Sequence, residues 1–206
     1  MVTPTAFKEG EVEAGGGRVP YLEAGQGLPL VHLQAAGALR VTRAHELLGR
    51  RFHVVIVAAP DGPSSVDTLL HALTALGLAV VSLAADSSSA AAALRLTLQA
   101  PERVRALVLE APAALGPADR DADLARRLPG LATPTLVLLG TRDDTVPAAT
   151  GRSYKELIPG SHLVFVYEAG HGIGADRPEA FAEVVADFVE RRDAFVISRA
   201  QTVIHP

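Results

Sequence analysis

Short apolar runs alternate with helical spacings along most of the chain. Pro29 to Leu33, Phe52 to Ala58, Leu78 to Ala84, Val104 to Leu109, Thr135 to Leu139 and Leu163 to Tyr167 are mostly apolar segments of strand length. Between them, Val41 to Leu48 places Ala44, Leu47 and Leu48 on one helical face. Val66 to Leu76 and the alanine-rich Ser89 to Leu98 are helical too. Pro178 to Arg191 is amphipathic, with Pro178 suited to a first helical turn. Continuous apolar strands alternating with helices predict an α/β fold, a parallel sheet covered on both faces. The opening differs. Glu11 to Glu23 holds Gly15-Gly16-Gly17 between two alternating stretches, which predicts an antiparallel hairpin. The expectation is a mostly parallel sheet with an antiparallel N-terminal hairpin and helices on both faces.

No internal repeat is present, and the 206 residues fit a single domain spanning 1–206. The charged stretch Asp119 to Leu131 is the one insertion of note, and it is too short for a lid domain. The tail, Ala194 to Pro206, is apolar and β-rich. It is expected to be an extra strand or a homodimer contact, since a free apolar tail invites aggregation.

Composition narrows the function classes. Hydrophobic residues make up 49%, enough for a two-sided core. The absence of cysteine excludes disulfides and thiolate metal sites and suits a reducing, cytoplasmic setting. A net charge of −4 without a Lys/Arg block gives no support to nucleic-acid binding. Aromatic residues are 4% and tryptophan is absent, which argues against a sugar- or base-stacking surface. Met1 to Gly15 lacks the apolar stretch of a signal peptide, and no run approaches the roughly 20 residues of a membrane span.

Three segments carry candidate chemistry. In Val80 to Ala91 a buried strand runs into a helix with almost no loop. Ser87 at that turn would stand at the carboxyl end of the strand, flanked by the small residues Ala85 and Ser89. The helix N-terminus behind it would direct N–H groups at a developing oxyanion. This matches a nucleophile elbow, for which Ser87 is expected at positive φ. The same residues also suit a plain helix cap, with Asp86, Ser87, Ser88 and Ser89 all able to serve. In Pro134 to Pro147 a strand ends at Gly140 and then offers Asp143 and Asp144, as a catalytic carboxylate or as a turn former. In Val164 to Ile173, His171 sits between two glycines after the last strand, as a proton acceptor or as a surface histidine. His32, inside a strand run, is expected to be a satisfied core residue. The order Ser, Asp, His, each after a parallel strand, is the order of the α/β-hydrolase triad.

From Glu11 to Arg191 the chain resembles the α/β-hydrolase superfamily. Gly17 to Gly25 resembles the opening hairpin, Ala100 to Leu109 the helix and strand before the lid, and Asp176 to Phe181 the helix after the catalytic histidine. The resemblance implies Ser87 as nucleophile, His171 as general base and Asp143 as the carboxylate that orients it. Asp143 is preferred to Asp144 because it fits Gly-x-x-Asp before Val-Pro. Backbone N–H groups of Ala36 and Ser88 would form the oxyanion hole. The implied kin are esterases, C–C hydrolases and cofactor-free perhydrolases, so the expected activity is serine hydrolysis of small esters or related acyl compounds. No metal or organic cofactor and no nucleic-acid or membrane partner are implied. Departures are plain: Gln34-Ala35-Ala36-Gly37 stands for the His-Gly oxyanion motif, Ala85-Asp86-Ser87-Ser88-Ser89 for the Gly-x-Ser-x-Gly elbow, and Asp61-Gly62-Pro63-Ser64-Ser65 is a shortened loop. These motivate an alternative: a non-catalytic relative that binds a ligand or protein partner. A covalent role for Asp86 would need the elbow shifted by one residue, against the spacing of Ala85 and Ser89.

Overall fold

The computed structural model describes residues 6–35, 37, 39–60, 65–116 and 121–195. The chain opens with a hairpin, β1 (Lys8–Ala14) and β2 (Gly17–Ala24), paired antiparallel so that Ala14 faces Gly17. Gly15 and Gly16 make the two-residue turn, with φ of 60° and 81°. Two successive positive φ values match the right-handed twist of the flanking strands, and glycine adopts them without a Cβ penalty.

β2 lies antiparallel to β4 (His53–Ala59), and from β4 onward every pairing is parallel. β3 (Pro29–Ala35), β5 (Val81–Ala85), β6 (Val104–Glu110), β7 (Thr135–Gly140) and β8 (His162–Val166) complete eight strands in the order β1-β2-β4-β3-β5-β6-β7-β8. The chain leaves β3 to one side for β4 and returns to its other side for β5. That reversal opens a crevice at the carboxyl ends of β3 and β5, the usual ligand position in open α/β sheets.

Side chains alternate across the sheet and build two cores. Val31, Leu33, Val57, Leu83, Leu107 and Val137 meet one helical layer, α2 (Ser65–Ala75), α3 (Ala90–Gln99), α4 (Ala122–Arg127) and α5 (Ala148–Leu157). Leu30, Ile56, Ala84, Val108, Leu138 and Val164 meet the other, α1 (Arg43–Leu48), α6 (Ile173–Asp176) and α7 (Pro178–Arg191).

The predicted strands and four predicted helices are present, within a few residues at their ends. Helices α4, α5 and α6 were not expected. α5 buries only Thr150, Gly151 and Tyr154, too little for an apolar stripe to register. Its packing depends on Gly151, where a Cβ would lie 2.4 Å from Leu139 Cδ1. Between β6 and β7 the described residues form only α4 and a short 3-10 turn, in keeping with the expected lack of a lid domain. Of the tail, Phe195 is buried edge-on against Phe188 and His162. Residues 196–206, where the extra strand or dimer contact was expected, lie outside the described residues.

Candidate active site

Gly140 ends β7 with no side chain, and the reason is steric. A Cβ there would lie 2.2 Å from the Gly170 carbonyl oxygen and 2.3 Å from that of Ala169. The close approach lets the loops after β7 and β8 zip together: Arg142 N–H donates to Ala169 O (2.8 Å), and Glu168 N–H donates to Thr141 Oγ1 (2.9 Å). The zipper brings Asp143 to His171. The imidazole Nδ1 is 3.1 Å from Asp143 Oδ2 and 3.3 Å from Oδ1. The Asp143 side chain is fully buried, while that of His171 is 39% exposed. Asp143 Oδ1 also accepts from the N–H groups of Thr145 (2.8 Å) and Val146 (2.9 Å). The turn reading and the partner reading of Asp143 therefore hold together. Asp144 instead meets the Thr145 hydroxyl at 3.4 Å.

His171 is held from behind. Gly170 N–H donates to Asp176 Oδ2 (2.8 Å), and Gly174 N–H, in the first turn of α6, donates to Glu110 Oε1 (2.8 Å). Glu110 ends β6, is buried, and is followed by Ala111 at φ 45°, a left-handed conformation that a non-glycine residue adopts at a cost. Burial pushes the Glu110 carboxyl up to about 7. Nearby Asp86 adds to the rise, while the N–H groups of Gly174 and Ile173 and the charge of His171 oppose it.

Ser87 lies in the turn between β5 and α3, half-buried. The expected positive φ is absent: among the described residues only Ala111, Glu168 and Arg192 show it outside glycine. Asp86 relaxes the turn. Its Oδ1 accepts from Ser89 N–H (2.9 Å) and from the Ser88 hydroxyl (2.8 Å), and its carbonyl accepts from Ser89 N–H (3.1 Å). An aspartate turn thus replaces the strained elbow, and Asp86 does the capping that the serines could have done. No hydrogen bond joins Ser87 to His171. Both line one cleft of about 580 Å³ at the carboxyl ends of β3, β5 and β6. Ser88 also lines it and is exposed. Ala36 lies outside the described residues. Gln34 Oε1 accepts from Arg40 N–H (2.8 Å), and Gln34 Nε2 donates to Arg40 O (3.1 Å). The side chain that stands for the family's histidine here is thus bonded to the Arg40 backbone.

The comparisons agree with this architecture. A family model described as TAP-like protein matches residues 112–193. A solved serine hydrolase involved in carbazole degradation superposes with a TM-score of 0.79 at 21% identity, covering 90% of this chain and 99% of its own. The carboxylesterase CesB of Bacillus subtilis gives 0.77 at 17%, covering 90% and 92%. The chain has the α/β-hydrolase fold. One curated relative of this α/β-hydrolase-fold chain, RutD of Klebsiella pneumoniae, a proposed carbamate hydrolase, is 34% identical over 68 residues. That match spans 33% of the chain and 26% of the relative's length.

Sequence reasoning missed three groups in the cleft. Glu110 was detectable as a lone carboxylate closing the run Ala106 to Leu109, which is wholly apolar. Asp86 was seen as a cap but not as the residue that relaxes the elbow. The third is a histidine pair. His32 is buried as expected, yet it is not satisfied: Nδ1 meets His45 Nε2 at 2.7 Å, while its Nε2 has no partner. No sequence spacing signals a pair 13 residues apart.

Proposed function

We propose that this chain is a serine hydrolase acting on small esters or related acyl compounds. The observation that carries the reading is the Asp143–His171 pair, whose imidazole lines the same cleft as Ser87. In the mechanism, Ser87 Oγ adds to the acyl carbonyl carbon as His171 Nε2 takes its proton. The oxyanion is met by backbone N–H groups of Ser88 and Ala36. Collapse expels the leaving group, which takes the proton from His171, and water then cleaves the acyl-enzyme by the same cycle. Asp143 holds the Nδ1–H tautomer, which leaves Nε2 free to accept, and stabilises the imidazolium. A Ser–His hydrogen bond that forms only with substrate is common in unliganded sites. The named neighbours fit, since carboxylic-ester and carbamate hydrolysis both transfer an acyl group to water. The short connection between β6 and β7 leaves the cleft open and favours short acyl chains.

One observation favours a second reading, a non-catalytic ligand-binding relative: the relaxed turn leaves Ser87 unbonded to His171. A fluorophosphonate probe separates the two. Labelling of wild type at Ser87, with nitrophenyl acetate turnover falling to background in Ser87→Ala, is the expected result. No labelling, or equal turnover by both proteins, moves the assignment to binding.

A further inference from the structure

We propose that the inner end of the cleft is a subsite for an uncharged hydrogen-bond acceptor on the substrate, a carbonyl or ether oxygen, held by the Nε2–H of His32. The proposal rests on the hydrolase reading for its substrate, but its geometry stands apart from Ser87 and His171.

Proton positions follow from one fixed donor. The backbone N–H of Thr42 donates to His45 Nδ1 at 2.9 Å, so that nitrogen carries no proton. A neutral His45 must then carry its proton on Nε2. That nitrogen lies 2.7 Å from His32 Nδ1, which can only accept. His32 therefore holds its proton on Nε2. Both rings are neutral near pH 7: burial lowers His32 to about 4, and burial together with His32 lowers His45 to about 3. The outcome is a donor whose tautomer is set by the chain itself.

That donor is unpaired. His32 is 5% exposed, it lines the cleft, and its Nε2 is shielded from bulk water without a hydrogen-bond partner. A buried unpaired donor is costly, and a donor in apolar surroundings strongly prefers a ligand that pairs it. Gly174, Ala175 and Phe181 line the same cleft, and their side chains bring no donor or acceptor to it. A neutral imidazole N–H pairs with a neutral acceptor without bringing a further charge into a cleft that Arg40 and Asp86 already line.

The test uses two nitrophenyl esters of equal chain length, methoxyacetate and butanoate, which differ by an ether oxygen in place of a methylene. Each is measured with wild type and with His32→Phe, so the esters' own reactivities cancel. The kcat/KM ratio of methoxyacetate to butanoate is expected to fall about tenfold in the variant, the worth of one neutral hydrogen bond. An unchanged ratio overturns the subsite. His32→Phe also leaves His45 without its acceptor, so a second measurement uses the unaltered protein. Imidazole nitrogen NMR should show His32 protonated on Nε2, with that resonance shifting to saturation on titration with N,N-dimethylacetamide and not with acetate. The opposite tautomer, or no shift with the amide, overturns the proposal. A wild type that hydrolyses neither ester defeats the hydrolase reading, while the NMR titration still decides the subsite.

Discussion

Asp143 gives one oxygen to two backbone N–H groups and shares its carboxylate with the imidazole of His171. Its neighbour Asp144 reaches only a threonine hydroxyl. The two aspartates thus differ in environment, though they are adjacent in sequence. Under the proposed mechanism Asp143→Asn should lower kcat by about 10⁴-fold, because the amide turns the imidazole toward the wrong tautomer. Asp144→Asn should leave kcat close to wild type. The comparison is made by steady-state hydrolysis of nitrophenyl acetate. Equal losses in the two variants, or none in Asp143→Asn, would remove Asp143 from the role proposed for it.

At the scale of elements, the turn from β5 to α3 is held by Asp86. Ser89 is the nominal cap of α3, yet its side chain makes no capping bond, and Asp86 serves in its place. Asp86→Ala should therefore lower unfolding stability by about 1 kcal/mol, as loss of an N-cap usually does. For a chain of this size that is about 2–4 °C in Tm, checked by calorimetry. An unchanged Tm would mean that the turn is held by other contacts. The strands and the longer helices were readable from sequence because each buries a regular stripe, as Val31 and Leu33 do in β3 and Val185, Phe188 and Val189 in α7. α5 escaped notice because a glycine against Leu139, rather than a stripe of large residues, seats it on the sheet. The order Ser87, Asp143, His171 was visible because each follows a strand. The positive φ expected at Ser87 was not borne out. The elbow pattern is carried by glycines, and a chain with Ala85 and Ser89 instead satisfies the same turn by side-chain hydrogen bonds of Asp86. The pairing of His32 with His45 depends on how α1 packs across β3, a tertiary fact without a local signal.

Across the whole molecule, three buried titratable groups on one face of the sheet pull stability in opposite directions with pH. His32 and His45 are held far below the ordinary histidine value, at about 4 and about 3. Their contribution is fully present above about 6.5, where unfolded histidine is neutral too. It is lost as pH falls toward those lowered values, because the unfolded chain takes up protons that the fold refuses. Glu110 has the opposite sign. Its folded value is raised to about 7, so its contribution is fully present below the unfolded value of 4.5 and is lost as pH rises to about 7. Two groups oppose one, and each histidine departs from its ordinary value at least as far as the carboxyl does. The net expectation is a Tm that declines as pH drops below about 6.5, with Glu110 blunting the decline between about 6.5 and 4.5. Glu110→Gln keeps an oxygen to accept from Gly174 N–H but cannot ionise. Relative to wild type it should gain stability as pH rises from 4.5 to 7 and hold a constant difference above about 8, where Glu110 is ionised in both states. Tm measured from pH 4 to pH 9 on both proteins checks this. Parallel curves would show that Glu110 titrates alike in the folded and unfolded chains, and that its burial behind His171 does not hold the proton.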